Sequence, residues 1–438
     1  NLFNLELFNE LEKLKPLYFD ETNANKKQEY KSQIDDLIRQ ITNNNETFDF
    51  EVYFSEVFHE KGGFDVVIAN PPYGFRNVLS KDEKDYFRTQ KAIQFPSGDI
   101  AELFIIIALQ KLVRVNGVLT FIIPKKSLYG ESWRNVRKTW ISQGLTYLMD
   151  ASKAFEKVLL EQVSFSIIKG NRVARVTVGS LNQIEDRVDI FGSFQIEDVF
   201  SDNLKNAQIY KGTFEKSLMD KIKNGSIPDT KRTVKGIMGI SNITGHLTFK
   251  PDGSYPCVKG IDIFKYGLKP EKRFLEGRIA KKYLSQYKED KIVAQKIIAH
   301  VQNPYPHIII TIFYDNVKRL INDTCVEIKV LETRLDKKFL LAYYQSTFCN
   351  WYAYNLIYNR AIRTMDFIDY YITQIPIPKY VMETPNQQRR FIDVVDKILT
   401  ITKEEGYLTN PAKQAKVKEY ERQIDQMVYK LYDLTPDE

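Results

Sequence analysis

The chain has 438 residues, 43% of them hydrophobic, enough to bury the cores of two or three domains. Three cysteines (Cys257, Cys325, Cys349) are too sparse for a disulfide framework or a zinc site. With no metal-ligand cluster, no apolar run long enough for a bilayer and no leader, a protein of the reducing cytoplasm is expected. The first residue is Asn, which suggests part of a larger protein. The net charge of +7 is uneven: residues 204–300 hold 20 Lys and Arg against 9 Asp and Glu, so the remainder is slightly acidic. A basic segment interleaved with Tyr and Phe suits a polyphosphate partner, since each neutralised phosphate releases counterions; a solvated lysine-rich surface is the plainer reading.

In chain order, residues 1–45 carry apolar positions at helical spacing (Leu11, Leu14, then Ile34, Leu37, Ile38, Ile41), interrupted by Pro16 and "DETNAN". This predicts a helical hairpin. Next comes "GGFDVVIANPPYG", Gly62 to Gly74, whose β-branched run Phe64–Ala69 predicts a fully buried strand of a parallel sheet. Pro71 and Pro72 must end that strand, because neither can donate to a ladder, and Asn70 is thereby placed at the carboxyl edge where open α/β sheets bind ligands.

"GDIAELFIIIALQKLVRVNG" predicts a helix opened by Asp99 and closed by Gly117, and "VLTFIIP" a second buried strand. "ESWRNVRKTWISQG" follows as a helix, then "LTYLMDAS" and "EQVSFSIIKGN" as strands joined too closely for a crossover, which predicts an antiparallel hairpin at one edge of the sheet. From about Asp202 to Lys379 the pattern is irregular, with glycine-bounded β segments and one long aromatic helix, "KKFLLAYYQSTFCNWYAYNLIY". The tail from Asn386 predicts a second helical hairpin. The expected organisation is α/β: a helical hairpin (1–45), part of a Rossmann-like sheet (46–195), a mixed α+β domain (200–380) and a C-terminal helical hairpin (385–438).

"NPPY" preceded by "FDVVIA" resembles the catalytic motif of adenine-specific amino-methyltransferases, and the longer stretch is similar to type IIG/IIS restriction-modification enzymes with fused methylase and specificity regions. "ELFIIIALQKLVRVNGVLTFIIPKKSL" resembles the helix and strand after that motif, and "IPIPK" with "RQIDQMVYKLYDLT" the end of the specificity region. The resemblance implies the carboxyl-terminal half of a methyltransferase domain over 46–195, a target-recognition domain over 200–380, S-adenosylmethionine as cofactor and double-stranded DNA as partner. It implies a catalytic set of Asn70, Pro71, Pro72 and Tyr73, with Phe155 in "AFEKVLLEQVSFSIIKGN" as a second aromatic. Phe165 falls within a strand and reads equally as core.

The chemistry accounts for these residue types. Adenine's exocyclic amine is a poor nucleophile because its lone pair is conjugated with the ring. The side-chain oxygen of Asn70 and the carbonyl of Pro71, stiffened by Pro72, would accept both amine hydrogens and stabilise the developing positive charge. Tyr73 would offer a π face to a flipped base, where stacking contributes about 1–3 kcal/mol. The plainer readings are a loop-turn Asn and a half-buried Tyr.

The family's glycine-rich cofactor loop has no counterpart in residues 1–69, and Gly62-Gly63 sits in the wrong place for it. The chain is therefore expected to need an upstream domain or partner chain, to bind cofactor weakly and to be inactive alone. Lys231, Arg232, Lys235, Lys259 and Lys265 are the candidate phosphate contacts. Asp315 with Glu327 and Lys329 formally spells a magnesium nuclease motif, but "DTCVEIKVL" reads as an ordinary strand, and no metal is expected. The alternatives are a specificity module without activity, and a protein or RNA methyltransferase sharing the motif.

Overall fold

The computed structural model describes all residues except 1, 43–47, 75–79, 90–96, 153–154, 156–159, 183–184, 271 and 364. The expected boundary at 45/46 falls within 43–47 and so lies outside the described residues. The chain divides into two compact units, residues 1–207 and 208–438.

The first unit opens with α1 (Leu2–Asp20) and α2 (Ala24–Ile41), packed through Leu11, Ile34, Leu37 and Ile38 together with Val52 of the short helix α3 (Phe50–Tyr53). Asn23 caps α2 by accepting from the amides of Asn25 and Lys26, which is why the polar turn stops one helix and starts the next. Contrary to expectation, Pro16 does not break α1. The adjacent Lys15 is buried and donates to the carbonyls of Val52 and Tyr53 at 3.1 and 2.7 Å and to Glu56 at 2.8 Å, so this turn is tied down across the packed interface rather than by its own ladder.

α4 (Ser55–Lys61) ends at Gly62, whose left-handed conformation (φ 71°) closes the helix, while Gly63 lets the chain approach the next strand: a Cβ there would lie 2.6 Å from the Leu112 carbonyl. The two glycines therefore serve helix termination and close packing. β1 (Phe64–Ala69) follows, its first ring meeting Phe54 and Phe58 edge-on at 5.3 Å each. α5 (Lys81–Thr89) and α6 (Ile100–Ile107) lead, through one π-helical turn, to β2 (Val113–Pro124). The helix thus stops at Leu112 and not at Gly117. "RVNG" lies inside β2, where the pairing slips between Phe64↔Val113 and Val66↔Val118 and Asn116 takes a positive φ of 62°.

α7 (Arg134–Gln143), β3 (Leu145–Asp150), β4 (Gln162–Ile168), β5 (Arg175–Asn182) and β6 (Arg187–Gln195) complete a six-stranded sheet of order β1-β2-β4-β3-β5-β6. β1 runs parallel to β2, and β4 is antiparallel to both β2 and β3. The β3–β4 hairpin is formed as expected but lies inside the sheet, because β5 pairs parallel with β3 and β6 makes a further antiparallel edge. Leu119, Phe121, Ile123, Leu148, Val163, Phe165, Ile167 and Trp140 form its core. β1 departs from the expected full burial: Val66 is 53% and Ile68 74% exposed. Among the described residues β1 pairs only with β2, and no described helix covers the face on which Val66 and Ile68 alternate.

The second unit holds two four-stranded sheets. One runs Ile312–Asp315, Lys291–Gln295, Cys325–Val330, Val234–Met238; the other Leu320–Ile321, Ser254–Val258, Arg273–Glu276, Leu247–Thr248. The long aromatic helix is interrupted: Lys337–Gln345 ends at Ser346, which is extended (ψ 156°) and caps Thr347–Tyr352 through its hydroxyl. Helices Pro385–Thr402 and Pro411–Leu431 belong to this core, with Phe391 edge-on to Phe339 at 5.1 Å and Tyr432 stacked on Phe348 at 4.6 Å. All three cysteines are free and buried here. Among the described residues no helix is long and apolar enough to cross a membrane.

The end of α7 yields a stability prediction. Gly144 has φ 87°, and a Cβ there would sit 1.9 Å from the Asn171 carbonyl. Gly144→Ala should cost more than about 1 kcal/mol, read as a lower denaturant midpoint with unchanged slope. An unaltered midpoint would contradict the packing at this turn.

Candidate active site

The carboxyl ends of β1, β2 and β3 and the start of β4 share one edge of the sheet, and most of the predicted catalytic residues follow from that edge. Asn70 directly follows β1 and is exposed; Pro71 is buried, Pro72 exposed and Tyr73 half-buried. The Tyr73 hydroxyl donates to Asn70 Oδ1 at 2.8 Å and lies 3.2 Å from the Ile122 carbonyl of β2. The loop therefore folds back over the end of β2, and the hydroxyl orients the Asn70 amide while leaving its oxygen a second lone pair. This hydroxyl role is additional to the π face expected from the sequence.

Behind the loop stands the start of α6. Asp99 caps it by accepting from the Ala101 amide at 3.0 Å, and the Ile100 amide donates to the Gly74 carbonyl at 3.2 Å. Burial, then the charge of Asp99, push the Tyr73 phenol up to about 12, so Tyr73 remains a donor across the physiological range. Burial raises Asp99 as well. Glu102 is 1% exposed, accepts from the Ser97 amide at 2.8 Å and is raised by burial, the charge of Asp99 adding to this.

On the neighbouring strands Lys125 follows β2, fully buried, and donates to Asp150 at 2.8 Å and to the Ser152 hydroxyl at 2.8 Å, with Glu161 at 3.6 Å. Burial works to raise the Asp150 carboxyl, but the charge of Lys125 and the hydrogen bonds of Lys125 and Ser152 together hold it below the ordinary carboxylate value. Phe155 lies in the same β3–β4 connection and is 38% exposed. Phe165 is core, against Trp140 at 5.2 Å and Phe121 at 6.3 Å.

In the second unit Lys231, Arg232 and Lys235 are exposed near one sheet edge, and Lys235 stands directly opposite Lys329 on the adjacent strand. Ser285 to Lys291, Lys329 and Lys337 line a cleft of about 560 Å³ on that sheet. Lys259 is half-buried, Arg232 is loosely paired with Asp229 at 3.5 Å, and the Lys265 ammonium is ion-paired with Glu421 at 2.5 Å. Asp315 is inaccessible and bonded to Lys291 and Arg319 at 2.9 and 2.6 Å, which leaves the formal nuclease triad without an open carboxylate there. Among the described residues no group of three or more His, Cys, Asp or Glu is arranged to hold a metal ion.

The sequence reading missed Asp99 as a neighbour of Tyr73, together with Glu102 and the Lys125 cluster. Asp99 was visible as a helix cap, but Lys125 meets partners 25 to 36 positions away, and no local pattern records such a meeting.

Comparisons with known proteins fit this geometry. Residues 3–156 match the family model of the Eco57I restriction-modification methylase. That match spans the helical hairpin, the Asn70 loop, Lys125 and Phe155. The putative type II restriction enzyme and methyltransferase RM.MjaORFECS2P of Methanocaldococcus jannaschii is 38% identical over 91 residues, which is 21% of this chain and 7% of that protein. In fold, the chain is similar to the type IIL restriction-modification enzyme MmeI, solved in complex with DNA: TM-score 0.53 and 10% identity, over 84% of this chain and 54% of that one. A looser likeness is to the type IIG restriction endonuclease BpuSI, with TM-score 0.34 and 14% identity over 84% of this chain and 54% of that one. The chain thus spans a small part of the curated relative and about half of each solved structure.

The Asp150 carboxyl gives a pH prediction. Because its pKa in the folded chain is below the ordinary 3.8, the stability it contributes is fully present above 3.8 and is lost as pH falls through the depressed value. The advantage of the wild-type chain over Asp150→Asn should therefore hold from about pH 6 to about pH 4 and shrink below that, in denaturant unfolding followed down to about pH 2. An advantage independent of pH would remove the charge of Asp150 from the account.

Proposed function

We propose that this chain is part of a restriction-modification enzyme that methylates the exocyclic amine of adenine in double-stranded DNA. The observation that carries the reading is the Asn70–Tyr73 loop: an exposed amide oxygen at the carboxyl end of β1, oriented by a tyrosine hydroxyl and followed by a half-buried aromatic ring. Asn70 Oδ1 and the Pro71 carbonyl accept the two amine hydrogens, localise the nitrogen lone pair and stabilise the positive charge that grows there. Asp99 and Glu102 stand behind the loop and shape its field. Tyr73 stacks on one face of a base flipped out of the duplex, and Phe155 serves the other.

The methyl group would come from S-adenosylmethionine. Among the described residues no glycine-rich turn follows a strand before β1, where helices α1 to α4 lie instead, so these residues alone do not form a cradle for that cofactor. The cofactor site then depends on further protein added beside β1, whose outer edge and Val66–Ile68 face are available for it. Lys231, Arg232, Lys235 and Lys259 serve as phosphate contacts in a target-recognition domain, and Lys265 contributes less because Glu421 neutralises it.

Two measurements test this reading. In the complete enzyme, Asn70→Ala should lower turnover about 10²-fold or more with DNA affinity retained; an alanine variant of full activity would sink the assignment. DNA affinity should fall steeply between about 50 and 200 mM salt, with a shallower slope once Lys231, Arg232 and Lys235 are replaced by alanine. A salt-independent affinity would rule out that surface.

A further inference from the structure

Lys125 is set apart by where its partners lie. Its ammonium is almost fully buried, and among the described residues the side chains bonded or ion-paired to it belong to the two ends of the connection between β3 and β4: Asp150 and Ser152 at the leaving end, Glu161 at the returning end. Its own main-chain amide adds a bond to the Glu161 carbonyl at 2.7 Å, and the Ala151 amide donates to the Gln162 carbonyl at 3.1 Å across the same gap. Asp150 is in turn locked to Ser152, whose amide and hydroxyl donate to the other carboxylate oxygen at 3.0 and 2.5 Å. One cation therefore draws both feet of a single excursion onto the end of β2, the strand next to the one that Asn70 follows.

Stability alone does not explain the arrangement. A buried ion pair recovers little beyond the cost of desolvating its charges, and apolar residues of similar volume would close the gap as well. What the cation supplies is a single point shared by both ends: its buried donors have no water to turn to, so they hold Asp150 and Ser152 on one side and Glu161 on the other to the end of β2. Between those feet stands Phe155, 38% exposed on the same sheet edge as the Asn70–Tyr73 loop.

We propose that Lys125 is a positioning residue, pinning both ends of the β3–β4 connection so that Phe155 is held at the site where the substrate base must enter. The proposal rests on the adenine-methylation reading for its functional half and on the chain's own geometry for its structural half, and the experiment separates the two. Two variants are made, Lys125→Met and the charge-balanced Lys125→Met with Asp150→Asn, the second guarding against an unfolded chain with an unpaired buried carboxylate. Amide hydrogen exchange is followed at the two ends of the connection, Ala151, Ser152 and Glu161, and over the flanking strands, and methyl transfer to DNA is measured with the complete enzyme.

The expected result is exchange at least tenfold faster at Ala151, Ser152 and Glu161, unchanged exchange in residues 118–123 and 163–168, and a kcat reduced at least tenfold with KM for DNA within about twofold. A merely structural lysine would instead loosen the flanking strands together with the connection and leave kcat of the folded fraction intact. Wild-type exchange and wild-type kcat in either folded variant would overturn the proposal. If the unaltered enzyme transfers no methyl group, the adenine reading falls, and the exchange measurement alone decides whether Lys125 pins the connection.

Discussion

The first unit depends on one constraint: two prolines in succession make a strand stop. Pro71 and Pro72 bring no amide hydrogen to a ladder, so β1 must end at Ala69 and the chain must turn while its parallel partner β2 continues to Pro124. Because β1 and β2 run the same way, that enforced turn lies on the edge where β2 and β3 also end, and Tyr73 can reach back to Ile122. The polar residue just before the prolines is therefore exposed there, whatever its chemical identity. Asparagine at this place converts a topological necessity into an oriented acceptor.

The same edge gathers charge. Asp99 and Glu102 stand behind the Asn70 loop, and Asp150 and Glu161 surround Lys125. Among these described groups the carboxyls outnumber the single cation, and burial weakens their screening by water. Positive charge is displaced to the second unit, around Lys231, Lys235 and Lys329.

Much of this was readable from the sequence where local chemistry decides the outcome. The β-branched run before Asn70, the Asp99 cap, the strands after Gly117 and Gly144 and the core position of Phe165 follow from periodicity and from residues that start or stop elements. Failures came where a distant contact overrides a local rule. Pro16 sits in a helix because Lys15 is anchored 37 positions away, and "RVNG" is a slip within β2 because Phe64 pairs there. An apolar run looks the same whether or not a helix covers it, so the exposure of Val66 and Ile68 was hidden. The interior place of the β3–β4 hairpin depended on two later strands that pair beyond it.

The distribution of cysteine gives the chain a built-in reporter. All three thiols lie in the second unit, none in the first, and burial raises each of them, Cys257 to about 12. A thiol in that state is neither accessible nor ionised, so an alkylating reagent reacts only after the surrounding structure opens. Labelling kinetics would consequently time the opening of residues 208–438 alone, with the sheet that bears Asn70 silent to the same reagent. The tryptophans are divided less completely, with Trp133 and Trp140 in the first unit and Trp351 in the second, so fluorescence weighted towards one unit and alkylation confined to the other can follow the two in a single sample.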